Sequence, residues 1–371
     1  GTVVNKHLPH DLAQMQSLPL EAKIIMTQQR IRQWHEHWDG MIYVSVSGID
    51  STVLKHIVDS MYNDVPAVFV NTGLEYPEIQ RFWKDAKKGE WACFNPNVEI
   101  LRPKMRFDEV LKKYGYPVIS KEVSNTISGA KNSISKGVYS HRLCKLGVKR
   151  EEYGGLLDLG KYNYDRTLEK SMYRQDKWRF LLDADFDTSS SCCDIMKKKP
   201  LKDYERLTGR KAIIGTMASE SQNRRTAWIR NGCNAFEGKR PTSQPLSFWT
   251  KQDVLHYAKM FDVPYCSVYG EIVIKPEEGF EDQTNLIDYL GCYEPDDQLV
   301  TTGCDRTGCI FCAFGCHLEK SPNRFQRLKQ THPRQYEYCI NGGEMVDGKW
   351  QPNKEGLGLG KVLDYIGIDY K

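Results

Sequence analysis

The sequence contains no apolar run of the roughly 18 residues that a membrane-crossing helix needs, which argues against a helical membrane protein. Excess charge of one sign is also scarce. The 52 Lys and Arg residues against 48 Asp and Glu leave a formal net charge of +4, too little to establish a nucleic-acid partner. No internal repeat or low-complexity tract is present. Gly1 to His10 is polar and lacks the apolar core of a secretory signal, so a cytoplasmic protein is expected. What remains is an ordinary globular composition, 40% hydrophobic and 27% charged, in 371 residues that fit one large or two modest domains.

Cysteine is the exception to this plainness. There are twelve, unevenly spread: Cys304, Cys309, Cys312 and Cys316 cluster together, and Cys192 and Cys193 are adjacent. Clustered cysteines in a chain of intracellular character point to metal ligation rather than disulfides. Isolated ones (Cys93, Cys144, Cys233, Cys266, Cys292, Cys339) read as buried small residues or ordinary thiols. The basic runs Lys197–Lys199 and Arg324–Lys329 read first as solvated helix faces, with an anion site as the lesser reading.

Hydrophobic patterning gives a β-α-β-α-β order. A helical repeat runs over Ser17–Trp38, a buried strand over Met41–Val46, a helix over Ser51–Tyr62, a strand over Pro66–Asn71, a helix over Pro77–Ala86 and a strand over Val98–Leu101. A further strand, Lys211–Thr216, is assigned to the same sheet. The expected fold is α/β, a doubly wound parallel sheet with ligands at the strands' carboxyl ends. Helices are also expected over Cys192–Leu207, over Thr250–Phe261 with Thr250 as cap, near Asn323–Ile340 and over Leu359–Ile366, while the acidic stretch Gly270–Thr302 reads as loop. The implied domains are an N-terminal helical segment, 1–40; a nucleotide-binding α/β domain, 41–265, with an irregular insertion near 132–177; and a C-terminal cysteine-rich helical region, 266–371.

The strand-to-helix turn at Ser45–Thr52 reads SVSGIDST. Backbone N–H groups and the hydroxyls of Ser47, Ser51 and Thr52 could face an anion there. It is not a Walker loop, because G-x-x-x-x-G-K-S/T is absent. Together with NTGLEYPE at Asn71–Glu78 it resembles the PP-loop superfamily of adenine-nucleotide enzymes. These include the phosphoadenosine-phosphosulfate (PAPS) and adenosine-phosphosulfate (APS) reductases and the DndC-type DNA-phosphorothioation proteins. The family loop is SGGxDS, and Ser47-Gly48-Ile49-Asp50-Ser51 is one residue short of it. The resemblance implies nucleotide binding by Ser47, Gly48, Asp50, Ser51, Thr72 and Gly73.

Two further segments extend the resemblance. GTMASESQNRR, Gly215–Arg225, is similar to the reductases' second anion loop and implies Glu220, Ser221 and Arg224 at the phosphate or sulfate end. PLSFWTKQDVLHY, Pro245–Tyr257, resembles a family helix entry in which Trp249 and Val254 are core. Cys192-Cys193-DIMKKKPL is similar to the tandem-cysteine stretch of APS reductases. That resemblance implies Cys192, Cys193, Cys309 and Cys312 as ligands of a 4Fe–4S cluster. A self-contained set of Cys304, Cys309, Cys312 and Cys316 is the rival scheme, and zinc the rival metal.

The chemistry that the resemblance implies divides three ways. Cleavage of ATP with Mg2+ to AMP and pyrophosphate, activating an acceptor for sulfur transfer, is favoured, with Asp50 and Arg224 as catalytic residues. APS or PAPS reduction is the alternative, although the tail GLGLGKVLDYIGIDYK lacks the cysteine of the reductases' ECGxH motif. A non-catalytic nucleotide- and cluster-binding regulator is the third reading. A cysteine desulfurase and nucleic-acid modification proteins are implied as partners by analogy, no membrane is, and a homodimer is compatible with the resemblance.

Overall fold

The computed structural model describes residues 4–159, 174–276 and 294–371. Cys292, most of the acidic stretch and part of the expected insertion lie outside them. The described chain divides into two compact units, Gly1–Pro103 with Lys199–Gly308, and Lys104–Lys198 with Cys309–Lys371. These boundaries differ from the expected breaks at 40 and 265. The chain leaves the first unit and returns to it, so the cysteine-rich tail shares its unit with Lys104–Lys198. Among the described residues no helix is long and apolar enough to cross a membrane.

The first unit is built on a six-stranded sheet. Its strands are β1 Ile42–Val46, β2 Ala67–Val70 and β3 Val98–Leu101, with Lys211–Ile213, Asn234–Ala235 and Thr242–Ser243 completing it. From one edge the order is β3, β2, β1, Lys211–Ile213, Thr242–Ser243, Asn234–Ala235. All neighbours are parallel except the last pair. Register is set by pairs such as Val44 with Ala67 and Val44 with Ile213. The central strands are buried on both faces, and for that reason read as continuous apolar runs rather than alternations.

Three helices pack on one face of the sheet, and Tyr204 of Lys199–Thr208 packs on the other against Tyr43, Val68 and Ala212. Leu20–His37 buries Ile31 and Trp34, Ile49–Met61 buries Val53, Leu54, Ile57 and Val58, and Pro77–Lys88 buries Ile79, Phe82 and Trp83. Thr250 caps Lys251–Met260 in a reciprocal capping box with Asp253. Asp253 Oδ2 also accepts from Lys23 Nζ at 2.6 Å, and Trp249 Nε1 donates to Thr27 Oγ1 at 2.8 Å. The segment therefore locks two helices together, and Trp249 and Val254 are fully buried core residues.

Several local expectations differ from the structure. Pro9–Gln16 is an additional helix. The ends of the acidic stretch form an antiparallel pair, Ile272–Ile274 with Leu299–Thr301. Residues 132–145 are largely helical, in Lys121–Ser135 and His141–Lys145. Cys192–Leu207, by contrast, is helical throughout as expected, with a π-helical turn at Asp194–Lys198 ahead of the α-helix Lys199–Thr208. Asn323–Ile340 is two helices divided at His332, because Pro333 starts the second.

In the second unit, Val118–Ile119 pairs in parallel with Ala313–Phe314, the two residues after the C-x-x-C turn. Gly115 has φ +112°, and a Cβ there would lie 2.5 Å from the carbonyl of Asp187. Only glycine admits that approach. Tyr116 N–H donates to Asp187 O and Ser189 N–H to Tyr116 O, which fixes the path into Cys192.

Candidate functional site

The sheet order reverses at β1, since β2 lies on one side and Lys211–Ile213 on the other. Ligands of open α/β sheets bind outside such a switch point. Two loops leave the carboxyl ends there, Ser47–Gly48 before the Ile49–Met61 helix and Ile214–Ser221 before Gln222–Asn231. Gly215 brings them together: a Cβ on it would stand 3.1 Å from the backbone N and Cα of Ser51.

Part of the first loop satisfies itself. Ser47 N–H donates to Ser51 Oγ at 2.7 Å, and the hydroxyls of Ser51 and Thr52 both donate to Gly48 O at 2.9 Å. Ile49 N–H donates to Tyr269 Oη at 2.9 Å, and that hydroxyl also pairs with Thr307 Oγ1 at 2.8 Å. Trp83 Nε1 holds Ser47 O. Side chains therefore take up the amides of Ser47 and Ile49. Asn71–Glu75 behaves likewise: Thr72 Oγ1 and N–H donate to the buried Glu75, and Gly73 N–H to Asn71 Oδ1. Thr72 and Gly73 shape the loop at β2 through these bonds.

The charged residues are arranged differently. Glu220 lies against Asp50, its carboxyl raised above the usual carboxylate range mainly by burial and further by Asp50 as a charge and a hydrogen-bonding group. Arg224 and Arg306 oppose that rise. Lys251 Nζ stands 3.7 Å from Asp50 Oδ1, and Arg224 Nη1 stands 2.7 Å from Glu220 Oε2. Arg224 Nη1 is therefore ion-paired, while Asp50 Oδ1 and Thr216 Oγ1 are buried and make no hydrogen bond. Buried polar atoms are rarely left in that state, and two of them on adjoining loops mark where a polar ligand would be accommodated. Ser221, by contrast, is the N-cap of Gln222–Asn231, accepting from Arg224 N–H. The structure thus brings Asp50, Glu220 and Arg224 together and adds Thr216 and Lys251, which lay in quoted segments without an assigned role, and Arg306.

The second unit holds the four cysteines. Cys192 donates a thiol hydrogen bond to Cys193 and is pushed far above the ordinary thiol range by that bond, by burial and by the charges of Cys193, Cys309 and Cys312. Cys193, as the acceptor, is pulled down, and Lys121 and Lys197 add to the fall. Cys312 is raised by burial, while its Sγ accepts from Phe314 N–H at 3.4 Å and Arg324 and Lys121 oppose the rise. Four thiols that repel one another when ionised, with cations and an N–H directed at them, suit a positively charged metal group. Among the described residues no three His, Cys, Asp or Glu side chains converge where a single ion could be held. Cys316 is pushed up to about 11 by burial and otherwise responds to Arg324, Glu319 and Arg327. Cys304 lies in the other unit, with its amide on Val268 O.

The sequence model of the phosphoadenosine phosphosulfate reductase domain matches residues 41–139 and 156–314. The chain belongs to that family. The reductase-domain match takes in both anion loops and all four cysteines of the tandem-pair scheme. Among solved structures, the PAPS reductase from Candida auris, a phosphate complex, is similar at 16% identity over 76% of this chain and 98% of that one. Its TM-score of 0.35 is too low to add to the family assignment. No curated protein matches the sequence significantly.

Proposed function

We propose that this PAPS reductase-family chain binds ATP with Mg2+ and cleaves it between the α- and β-phosphates, adenylating an acceptor that then receives sulfur. The observation that supports this reading is the pair of adjoining carboxyls, Asp50 and Glu220, flanked by Lys251 and Arg224, with Asp50 Oδ1 and Thr216 Oγ1 making no hydrogen bond. Carboxyls suited to a cation and basic groups suited to phosphates stand together there, as a metal-bound polyphosphate would require. Mg2+ is commonly held by one or two carboxylates, with water and substrate phosphates completing its shell. Asp50 and Glu220 are that pair. Two adjoining carboxyls favour a metal-bound nucleotide over a bare phosphosulfate, whose charge they would repel.

In the step proposed, an acceptor oxygen attacks the α-phosphorus, the bond to the bridging oxygen breaks, and pyrophosphate leaves with the electron pair. Arg224, Arg306 and Lys251 offset the charge that develops on it. Cys192, Cys193, Cys309 and Cys312 would hold a 4Fe–4S cluster, which when bound supplies redox or sulfur-binding chemistry to the transfer. A cysteine desulfurase is the proposed sulfur source, as in DndC-type phosphorothioation.

The test is product analysis on anaerobically purified protein with Mg2+ and ATP. AMP and pyrophosphate, lost in Asp50→Asn, support the proposal. Sulfite released from APS or PAPS with a thiol reductant, and no pyrophosphate from ATP, would replace it with the reductase reading. Nucleotide binding without turnover of either kind would leave a regulator.

A further inference from the structure

Tyr269 is only 1% exposed, yet its hydroxyl ends at the phosphate loop, 2.9 Å from Ile49 N and 2.8 Å from Thr307 Oγ1. The backbone leads both residues there. Gly303 N–H donates to Tyr269 O and Cys304 N–H to Val268 O, so the chain running towards Thr307 lies against Val268–Tyr269. A Cβ on Gly303 would stand 2.4 Å from Val268 O, an approach that only glycine allows. The two hydroxyls crowd the loop itself, since a Cβ on Gly48 would meet Tyr269 Oη at 2.7 Å and Thr307 Oγ1 at 2.8 Å. The residues around them belong to the charged site. Arg306 acts on Glu220, and Lys251, which stands 3.7 Å from Asp50 Oδ1, lies 6.0 Å from the centre of the Tyr269 ring.

Hydrogen-bond accounting assigns the protons of this pair. Each hydroxyl has one proton to donate. Tyr269 Oη accepts from Ile49 N–H, so the one acceptor within reach of its own proton is Thr307 Oγ1. Were threonine the donor instead, the tyrosine proton would be buried without a partner, a state that folded proteins rarely sustain. The order is therefore Ile49 N–H to Tyr269, and Tyr269 to Thr307. One proton is left over, that of Thr307. Among the described residues Thr307 Oγ1 has no other hydrogen-bond partner, and the residue is only half-buried, so that proton can reach a ligand. The amides of Ser47 and Ile49 cannot serve in its place, because Ser51 and Tyr269 take them.

We propose that Thr307 is a phosphate-binding residue of this site, its hydroxyl oriented by Tyr269 and donating to a non-bridging oxygen of the nucleotide's polyphosphate chain. The proposal rests on the nucleotide reading above. The donor that the Ile49 amide turns inward is delivered again at Thr307, on the ligand side of the loop. A hydroxyl that donates to a charged oxygen makes one of the stronger hydrogen bonds. Removing it should weaken Mg2+–ATP binding about tenfold, equivalent to about 1.4 kcal/mol.

The experiment is calorimetric titration of the full chain, purified anaerobically, with Mg2+–ATP and with Mg2+–tripolyphosphate, alongside thermal unfolding of each variant. Thr307→Val should bind both about tenfold more weakly, and Thr307→Ser, which restores the hydroxyl, should bind both nearly as wild type does. Tyr269→Phe should also weaken both, because the threonine hydroxyl loses its fixed orientation. Should removal of that buried hydroxyl prevent folding, the two Thr307 variants decide alone. Unchanged binding in folded Thr307→Val would overturn the proposal. Tighter binding there would do so as well, by making the hydroxyl pair a plug of the loop. So would equal losses in Thr307→Ser and Thr307→Val. A loss confined to ATP, with tripolyphosphate unaffected or unbound by wild type, would overturn it by placing the hydroxyl at the nucleoside. A wild-type protein that binds neither probe is a different outcome: it overturns the nucleotide reading and takes this proposal with it.

Discussion

The carboxyl of Glu220 lies against that of Asp50 at the point where the parallel sheet reverses order, and burial together with Asp50 raises its pKa. A raised acid favours the protonated fold. Its stabilising contribution is complete below the ordinary value of 4.5 and is lost as pH rises through the raised value. Metal binding runs the other way, because the carboxyl must ionise to hold a cation. Mg2+-dependent nucleotide affinity should therefore rise with pH above 4.5 until Glu220 is ionised. Glu220→Gln should flatten that profile, bind metal-nucleotide more weakly, and be at least as stable as wild type at neutral pH. Calorimetric titration across pH checks the first two, and thermal unfolding the third. A steep affinity profile retained in Glu220→Gln would mean that another group titrates.

Gly215 is where the two loops touch. An added methyl meets the backbone of Ser51 and Asp50, which cannot rotate away as a side chain could. Gly215→Ala should cost about 1–3 kcal/mol through overpacking and weaken nucleotide binding, since the helix N-terminus must shift. Gly73→Ala is the useful contrast. It has open space around the added carbon but φ +79°, so its cost is the backbone term alone, about 1–2 kcal/mol. Chemical denaturation of both, with nucleotide affinity measured alongside, separates contact from conformation.

The same residues show what could be read from sequence. β1 and β2 fall inside their expected bounds, because strands buried on both faces leave unbroken apolar runs, and the edge strand Val98–Leu101, with Glu99 exposed, has the expected bounds as well. The pairing of Val118–Ile119 with Ala313–Phe314 was illegible: two residues cannot show a period, and the partner is distant in the chain. Asp50, Glu220 and Arg224 lay in motifs. Thr216 and Lys251 lay in quoted segments but with no role assigned, and Tyr269 reaches the site only by tertiary approach, so no local spacing marks it. Ser221 had a local signal that pointed elsewhere, since a serine before a helix is first of all a cap.

Within the Ile49–Met61 helix, Lys55 and Asp59 form an ion pair at 2.6 Å with side chains that are 0% and 4% exposed. Lys55 Nζ also donates to Asn95 O, and Asp59 Oδ2 accepts from Asn95 N–H, so the pair ties the Ile49–Met61 helix to the turn entering β3. Removing one partner leaves a buried charge uncompensated. Lys55→Met should destabilise by about 3–5 kcal/mol, and Lys55→Met with Asp59→Leu should recover much of that loss. Denaturant unfolding of the single and double variants measures it. Equal stability of the two would show that the isolated carboxylate finds water.

The ligand schemes for the metal differ at four cysteines, and substitutions there give opposite results. Under the tandem-pair scheme, Cys192→Ser and Cys309→Ser remove iron and visible absorbance, while Cys304→Ser and Cys316→Ser keep both. The contiguous scheme reverses the outcome at Cys192, Cys304 and Cys316 and leaves Cys309 essential in either case. The electrostatics favour the first, because the charges acting on Cys192 come from Cys193, Cys309 and Cys312, whereas Cys316 answers to Arg324, Glu319 and Arg327. Cys339 is a demanding control. It is fully buried and feels Cys309, so a purely steric account would make it as sensitive as a ligand. Cys339→Ser should instead retain the centre and lose only packing stability, about 1–3 kcal/mol for a hydroxyl buried where a thiol stood. Stoichiometric zinc in place of iron, in a colourless protein with the same cysteine dependence, would keep the ligand set and change the metal.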